Sequence, residues 1–415
     1  MESIVFTLVI VALAGDYLLN VILEIININY SKNRNLDKAV ADVYDTDSYY
    51  KQQDYNREKL ILSLVESTLT TVLAIVIFAV GGFGVLNTWV SSIASNSIVQ
   101  SLLFFGILWF AGKIIALPFN YFDNFIIEEK YGFNNSTKTL FLTDILKSSS
   151  IAIIFGGVIL LLITWLYVNY TSLFWLPVLL FLLLISLLST VLYTSIILPL
   201  FNKKTPLADG NLKERLEKLA QKAGFSTKSI FILDSSRRST KANAFFTGWG
   251  GRNKRIYLYD TLIDRLEPVE IEAVLAHEIG HYKKNHIWYN FVIGLAVTGF
   301  FLFVFSKISM TDIFTPVMGA MQTDNPNFQL NILGFALILE PIQNIINILT
   351  SYLSRKMEFS ADGFAKGYNL AGYLVSALKK LAALNYSTLM PHPLYVKFHY
   401  SHPPLGQRII ELQQQ

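Results

Sequence analysis

Cysteine is absent from the 415 residues of this chain. Its absence excludes disulfide bonds, thiolate zinc sites and cysteine nucleophiles, so any metal site has to be built from histidine and carboxylate side chains. Charged residues are scarce as well, at 15% of the chain, where soluble domains carry about a quarter. We also find neither an internal repeat nor a low-complexity tract. The chain is therefore too poor in charge to be an ordinary soluble domain.

Hydrophobic residues make up 53% of the chain. A helix crosses the hydrocarbon layer of about 30 Å with roughly 20 mostly apolar residues, and about seven stretches reach that length. They lie near residues 3–28, 61–89, 99–120, 149–168, 172–200, 288–307 and 330–353. The first is too long, and followed too soon by other spans, to be a cleaved signal peptide. We expect a mainly α-helical, multi-pass integral membrane protein with seven transmembrane helices in the lipid bilayer.

The distribution of lysine and arginine predicts the orientation, because basic loops tend to stay cytoplasmic. These residues number 6 in 29–60, 3 in 121–148, 16 in 201–287 and 7 after residue 353, with none in 90–98, 169–171 and 308–329. The N-terminus is therefore expected outside and the C-terminus inside, in a bacterial inner membrane or, in a eukaryote, the endoplasmic reticulum. The net charge of +4 then reflects topology and gives no basis for a nucleic-acid partner. The sequence sets no oligomeric state.

Four parts follow from this topology. Residues 1–200 carry spans one to five, 201–287 form a soluble cytoplasmic segment, 288–353 carry spans six and seven, and 354–415 form a cytoplasmic tail. The soluble segment begins with "GNLKERLEKLAQKAGF", an amphipathic helix pattern that ends at a glycine. The stretches "KSIFILDSS", "ANAFFTG" and "RIYLYD" then predict three short strands. We expect a small α+β unit beside the membrane helices.

The stretch "VLAHEIGHYKKNH", residues 274–286, carries the clearest chemical pattern. On a helix, His277 and His281 lie one turn apart on one face and can bind one zinc ion. Glu278 can then act as general base on a water at the open side of the metal. No helix breaker follows His281, so this helix is expected to run straight into the sixth span. The alternative is that both histidines face solvent at a membrane boundary.

A third metal ligand is available in "SRKMEFSADGFA", residues 354–365. Glu358 and Asp362 are four residues apart and share a helix face. Glu358 can bind the metal while Asp362 accepts a hydrogen bond from a metal-bound imidazole. The alternative is a solvated helix surface on which both are ordinary charges.

Polar residues also recur inside two predicted spans, where charge is costly and usually faces a cavity or a partner. We hypothesise that several spans enclose a water-filled chamber open to the metal. The alternative is that the polar residues only form hydrogen bonds between helices. The first span contributes Asp16, Asn20 and Glu24, and the seventh contributes Glu340, Asn344, Asn347, Ser351, Arg355, Glu358 and Asp362.

Three motifs, "AHEIGHYKKNH", "EFSADGFA" and "YSHPPLGQR", together resemble the type I CAAX prenyl proteases. These are integral-membrane zinc metallopeptidases that process prenylated C-terminal motifs. The likeness extends to "LPFNYFDNFIIEEKYGFNNST", "ILPLFNKKTPLADGNL" and "SRRSTKANAFFTGWGGRNKRIYLYDTLID", and so covers most of the chain from about residue 117. It implies seven helices around a large hydrated interior, with a small α+β zinc-metallopeptidase portion on the cytoplasmic side.

The resemblance also implies roles for individual residues. One zinc ion per chain is implied on His277, His281 and Glu358, with Glu278 as catalytic base. Further implied residues are Asp362 beside a zinc ligand, Asn243 on the strand that binds substrate backbone, and His402 and Arg408, which help to position substrate or steady the zinc glutamate. Three other histidines are interpreted as boundary or packing residues, namely His286, His392 and His399.

The function expected from these residues is that of a zinc metalloendopeptidase. Its substrate would be a peptide or protein, possibly prenylated and membrane-associated, cut near its C-terminus. One alternative is a protease that degrades misfolded membrane proteins with the same residues. A transporter or scaffold with a vestigial site is the remaining alternative, and it predicts no bound zinc.

Overall fold

The computed structural model of the chain describes residues 1–31, 38–224, 230–247, 255–322 and 326–414. Long helices dominate it, because the apolar runs contain few helix-breaking residues. The helices up to residue 201 are α1 (Glu2–Ser31), α2 (Thr46–Ala79), α3 (Gly82–Ile93), α4 (Ser97–Phe122), α5 (Lys138–Ile151), α6 (Gly157–Tyr170), α7 (Trp175–Leu192) and α8 (Leu198–Phe201). The later helices are α9 (Asn211–Lys222), α10 (Asp260–Ile263), α11 (Pro268–Lys283), α12 (His286–Ile308), α13 (Phe314–Val317), α14 (Phe328–Gly367), α15 (Ala371–Leu384), α16 (Pro393–His399) and α17 (Leu405–Gln413).

The membrane-spanning character of the fold agrees with the sequence. Within the described ranges, six helical stretches are long and apolar enough to cross a membrane: Glu2–Ser31, Thr46–Ala79, Ser97–Glu128, Lys138–Tyr170, His286–Thr311 and Phe328–Gly367. A pair of helices bent by 43°, Trp175–Ser189 and Tyr193–Phe201, brings the number to seven if the pair is counted as one span. The prediction of a mainly helical, polytopic membrane protein is therefore confirmed.

The second predicted span, 61–89, is wrong at its end. Gly81 has a φ of 71°, and it separates α2 from α3. The break lets α3 pack against the loop after α13, where the amide of Gly84 donates to the carbonyl of Met318 at 2.8 Å. A Cβ on Gly84 would lie 2.3 Å from the carbonyl carbon of Gly319, so this approach requires glycine.

The expectation that the histidine helix runs unbroken into the sixth span is also wrong. Asn285 has a φ of 58° and lies between α11 and α12. Asparagine is among the few non-glycine residues that tolerate this left-handed conformation, which ends a helix without proline or glycine. The sequence pattern therefore showed no breaker although the chain turns there.

A four-stranded sheet lies beside the membrane helices. Its strands are β1 (Lys204–Pro206), β2 (Ile230–Leu233), β3 (Ala244–Thr247) and β4 (Arg255–Tyr259), in the order β1-β2-β4-β3. The three predicted strands are confirmed. The sequence missed β1, because a three-residue strand that ends in proline shows no alternating pattern. Strands β2 and β4 pair in parallel, and β3 pairs with β4 in antiparallel fashion, so β3 is an edge of the sheet.

The soluble unit has its own hydrophobic core. Helix α11 contributes Ile271, Leu275 and Ile279 to it, spaced by four residues along one helix face. The amphipathic helix predicted from 210–225 is confirmed as α9, with Leu216 and Leu219 buried in the same core. Residues 225–229 and 248–254, which include parts of three predicted patterns, lie outside the described residues. This core holds one face of α11 and leaves the face with His277 to meet α14.

Helix α14 continues without a break from Phe328 to Gly367, with Pro341 inside it. It therefore carries the predicted polar edge from the membrane to Glu358. Asn344 donates a hydrogen bond to Asp16 on α1, and Asn20 Nδ2 donates to the same carboxylate at 3.0 Å. The contact between Asn344 and Asp16 matches the alternative of hydrogen bonding between helices for that part of the edge, and the water-filled chamber stays a prediction.

Candidate active site

The start of α11 is fixed by a buried carboxylate. Pro268 occupies the first turn, and the amide of Glu267 donates to Oε2 of Glu270 at 2.8 Å. Glu270 also accepts hydrogen bonds from Ser376 at 2.6 Å and Lys380 at 2.8 Å on α15. Burial by itself raises the pKa of Glu270, but these hydrogen bonds outweigh it and hold the pKa below its ordinary value. The ionised side chain thus anchors the helix that bears the histidines.

The approach of α11 to α14 depends on Gly280. A Cβ at this position would lie 3.0 Å from Cα of Ala361 and 3.0 Å from Cβ of Phe364. Such contacts are tighter than most Cβ contacts in proteins, so any other residue at this position would force the two helices apart by a few tenths of an ångström. Gly280 lies between the two histidines of the pattern in sequence, and its contact brings their helix face against Glu358.

His277, His281 and Glu358 converge as the sequence predicted. One possible ligand atom from each lies within 4.8 Å of the others. Nε2 of His277 is 3.3 Å from Oε2 of Glu358, Nε2 of His281 is 3.2 Å from Oε1, and the two Nε2 atoms are 3.2 Å apart. His277 and Glu358 are buried. The solvated-surface alternatives for these residues are therefore wrong.

Asp362 holds the far side of the His277 ring. Its Oδ1 lies 2.8 Å from Nδ1 of His277, and Asp362 is only 1% exposed. Arg408 on α17 forms a two-pronged pair with this carboxylate, with Nε to Oδ2 at 2.9 Å and Nη2 to Oδ1 at 2.6 Å. With its proton on Nδ1, His277 presents the lone pair of Nε2 toward Glu358 and His281.

The pKa of His277 shows that the cluster favours a positive charge. Burial alone lowers its pKa, but the hydrogen bond to Asp362 and the contact with Glu358 outweigh burial and raise the pKa to about 9. Oε2 of Glu358 is buried and receives no hydrogen bond of acceptable geometry from the described residues. Two imidazoles and a carboxylate around such a point are a donor set suited to a divalent cation. The residues therefore fit a metal ion.

Glu278 and His402 complete the surroundings of the cluster. Glu278 follows His277 and is partly buried, and burial raises the pKa of its carboxyl group. A general base works best with a pKa near the working pH, so this shift suits proton transfer. Nδ1 of His402 lies 3.0 Å from Oε2 of Glu358, while 66% of its side chain is exposed. His402 therefore contacts the cluster and faces the solvent side at once.

Asn243 lies on a different element from the cluster. It directly precedes β3, its Oδ1 accepts from the amide of Ala244 at 2.8 Å, and its carbonyl accepts from Tyr259 at 3.1 Å. Near the other end of β3, the ring of Phe246 packs against the ring of Tyr282, with centroids 6.0 Å apart. Tyr282 directly follows His281 in the sequence. The edge strand thus approaches the last turn of the histidine helix.

Comparison with known proteins identifies the family. The family model described as CAAX prenyl protease N-terminal, five membrane helices, matches residues 27–203, and that of peptidase family M48 matches residues 206–415. The CAAX prenyl protease 1 of Saccharomyces cerevisiae is 34% identical over 400 residues, covering 91% of this chain and 88% of the relative. The CAAX prenyl protease 1 homolog of Arabidopsis thaliana is 32% identical over 420 residues, covering 99% and 96%. The chain belongs to the type I CAAX prenyl protease family.

A solved structure supports the same assignment for the protease. The crystal structure of S. mikatae Ste24p is similar with a TM-score of 0.90 and 31% identity, and the match covers 99% of each chain. The predicted family, fold class and enzyme class are thereby confirmed, and the chain is a membrane-embedded metalloprotease. Family membership therefore argues against the alternative of a transporter or scaffold.

The sequence interpretation did not foresee that His286 contacts the predicted ligand His281. The sequence predicts a boundary or packing role for His286, and its buried side chain packs directly on a site residue, with its Nδ1 3.0 Å from Nδ1 of His281. The turn at Asn285 brings the His286 ring back over the preceding helix. The two histidines are five residues apart in the sequence, which places them near each other along the chain. On an unbroken helix, however, residues five apart lie on different faces, so the spacing alone did not predict the contact.

Proposed function

We propose that the protease binds one zinc ion through His277, His281 and Glu358 and hydrolyses prenylated or membrane-associated peptides near their C-termini. The observation that carries this proposal is that one possible ligand atom from each of these side chains lies within 4.8 Å of the others. The three side chains come from α11 and α14, which make close contact at Gly280. Two histidines and one carboxylate with an open position form the ligand set of many zinc hydrolases. A bound zinc ion would polarise the peptide carbonyl and make a bound water acidic near neutral pH.

The residues around these ligands would prepare the reaction. Asp362 holds the His277 ring in the tautomer that leaves Nε2 free, and the Arg408 guanidinium fixes Asp362 in turn. Glu278 takes the proton of the attacking water and passes it to the leaving amine. His402, exposed beside Glu358, donates a hydrogen bond to the carbonyl oxygen as negative charge develops there.

Substrate binding would use β3, the strand at the edge of the sheet. An extended peptide can add to an edge strand through backbone hydrogen bonds, which need no particular side chains. Asn243 directly precedes this strand. Phe246, near the end of the strand, packs against Tyr282 of the histidine helix. The orientation predicted from the basic loops puts the site on the cytoplasmic side, where the lipid of a prenylated peptide can stay in the bilayer.

Cleavage assays test this function directly. Purified protease should cut a farnesylated C-a-a-X peptide, and a metal chelator should abolish the cleavage. A Glu278→Gln variant should lose activity by several orders of magnitude while it retains zinc, because it lacks the base but keeps all three ligands. Activity of Glu278→Gln equal to that of the parent would contradict the role of Glu278. Equal cleavage of farnesylated and unfarnesylated peptides would instead favour a protease without lipid selectivity, such as one that degrades misfolded membrane proteins.

A further inference from the structure

The ring of His286 lies directly behind the ring of His281. Nδ1 of His286 is 3.0 Å from Nδ1 of His281. The two rings are nearly perpendicular, with an interplanar angle of 75° and centroids 5.0 Å apart. At this distance the two nitrogens form a hydrogen bond, in which one carries a proton and the other accepts through its lone pair. The other nitrogen of His281, Nε2, lies 3.2 Å from Oε1 of Glu358, so the ring is held at both of its nitrogens.

The turn between α11 and α12 sets the position of His286. Asn285 has a φ of 58°, and His286 is the first residue of the helix that follows. The side chain of His286 is buried at 6% exposure, although it stands at the start of a helix long and apolar enough to span a membrane. A buried imidazole requires a hydrogen-bond partner. The contact with His281 supplies that partner, so the turn directs the His286 ring into the site.

His281 is thus supported in the same way as His277, the other proposed histidine ligand. Nδ1 of His277 lies 2.8 Å from Oδ1 of Asp362, and the group that faces Nδ1 of His281 is the ring of His286. Both histidines direct Nε2 toward Glu358. Each ring is therefore held through the nitrogen that faces away from the proposed metal.

From this contact we infer that His286 is a positioning residue, which orients His281 for the metal by accepting a hydrogen bond from its Nδ1–H. The inference rests on the proposed function, in which His281 binds zinc through Nε2. A neutral imidazole that offers the lone pair of Nε2 carries its proton on Nδ1. His286 then offers the lone pair of its own Nδ1 and carries its proton on Nε2. An acceptor behind a metal-bound imidazole fixes the ring and strengthens it as a ligand.

The geometry separates this role from that of a further metal ligand. The cluster of possible ligand atoms consists of His277, His281 and Glu358, and His286 is not a member of it. The two nitrogens of an imidazole direct their lone pairs away from each other, and His286 contacts the nitrogen of His281 that is not directed at Glu358. His286 therefore acts on the metal only through His281.

The zinc affinity of two His286 variants tests this role, measured by competition with a fluorescent chelator. His286→Leu removes the acceptor and keeps a buried apolar side chain, so the affinity should fall by about 10-fold to 100-fold. His286→Asn puts an amide oxygen near the position of Nδ1, so it should restore the affinity to within about threefold of the parent. Both variants lose the imidazole ring, and they differ in the presence of an acceptor.

Tyr289→Leu is the matched control, because Tyr289 lies on α12 three residues after His286 and is 58% exposed. It should bind zinc like the parent. Zinc-edge X-ray absorption of zinc-loaded His286→Leu should show the same two nitrogen ligands and carboxylate as the parent.

Three results would overturn the inference. They are parental zinc affinity in His286→Leu, equal losses of affinity in His286→Leu and His286→Asn, and loss of a nitrogen ligand from the absorption spectrum of His286→Leu. A parent protease that binds no zinc would instead overturn the proposed function, and the inference with it.

Discussion

Asp362 on α14 lies 2.8 Å from Nδ1 of His277 on α11, on the side of the ring opposite Glu358. This relationship makes His277 a link between two carboxylates on one helix, four residues apart. A carboxylate behind a metal-bound imidazole fixes the orientation of the ring and strengthens it as a ligand. The contact therefore couples the affinity for a metal to a residue that does not touch it.

The exchange of Asp362 for asparagine tests this coupling. Asp362→Asn keeps the shape of the side chain but removes the charge that holds the Nδ1 proton of His277. We expect zinc affinity to fall by about 10-fold to 100-fold, measured by competition with a fluorescent chelator. Asp264→Asn, an exposed position after α10, should bind zinc like the parent. Unchanged affinity in Asp362→Asn would show that the carboxylate plays no part in metal binding.

The contact of α11 with α14 is tested by adding one methyl group. Gly280→Ala puts a Cβ 3.0 Å from Cα of Ala361, and the helices have to move apart. We expect the free energy of unfolding to fall by about 1–3 kcal/mol, seen as a lower Tm in detergent, together with weaker zinc binding. Gly363→Ala on α14 is the control, because a Cβ there meets nothing within 4 Å. A Gly280→Ala protein as stable as this control would contradict the close approach.

The buried carboxylate of Glu270 makes stability depend on pH. Its pKa in the folded protein lies below its ordinary value of 4.5, so the folded state favours the ionised form. The stabilisation is complete above the ordinary pKa and is lost as the pH falls through the folded value. Between about pH 5 and pH 3, the parent should lose stability more steeply than Glu270→Gln, which cannot ionise. Parallel unfolding curves for the two proteins across this range would refute the stabilising role of the ionised carboxylate.

The sequence allowed the prediction of the membrane helices and of the metal cluster for physical reasons that are local. A continuous apolar run indicates a membrane span. The four-residue spacing of His277 and His281, and of Glu358 and Asp362, indicates that each pair shares a helix face. Each pair could be interpreted on its own helix without knowledge of the other. The family resemblance then supplied the expectation that the two helices meet.

Contacts between distant segments were beyond the reach of the same patterns. The break at Asn285 depends on one residue in a left-handed conformation, which asparagine permits but does not demand. The contact of His286 with His281 follows from that break. The pairing of Asn385 with Ala242 joins residues 143 positions apart, and no periodicity records it.

The most direct test of the central claim is a measurement of metal content and ligands. Zinc should be present at one ion per chain in the purified parent, and zinc-edge X-ray absorption should show two nitrogen ligands and a carboxylate at about 2.0–2.2 Å. Glu358→Ala, His277→Ala and His281→Ala should each lose most of the zinc, while Glu278→Gln should retain it. One bound zinc ion per chain in Glu358→Ala, with the absorption spectrum of the parent, would contradict the proposed metal site.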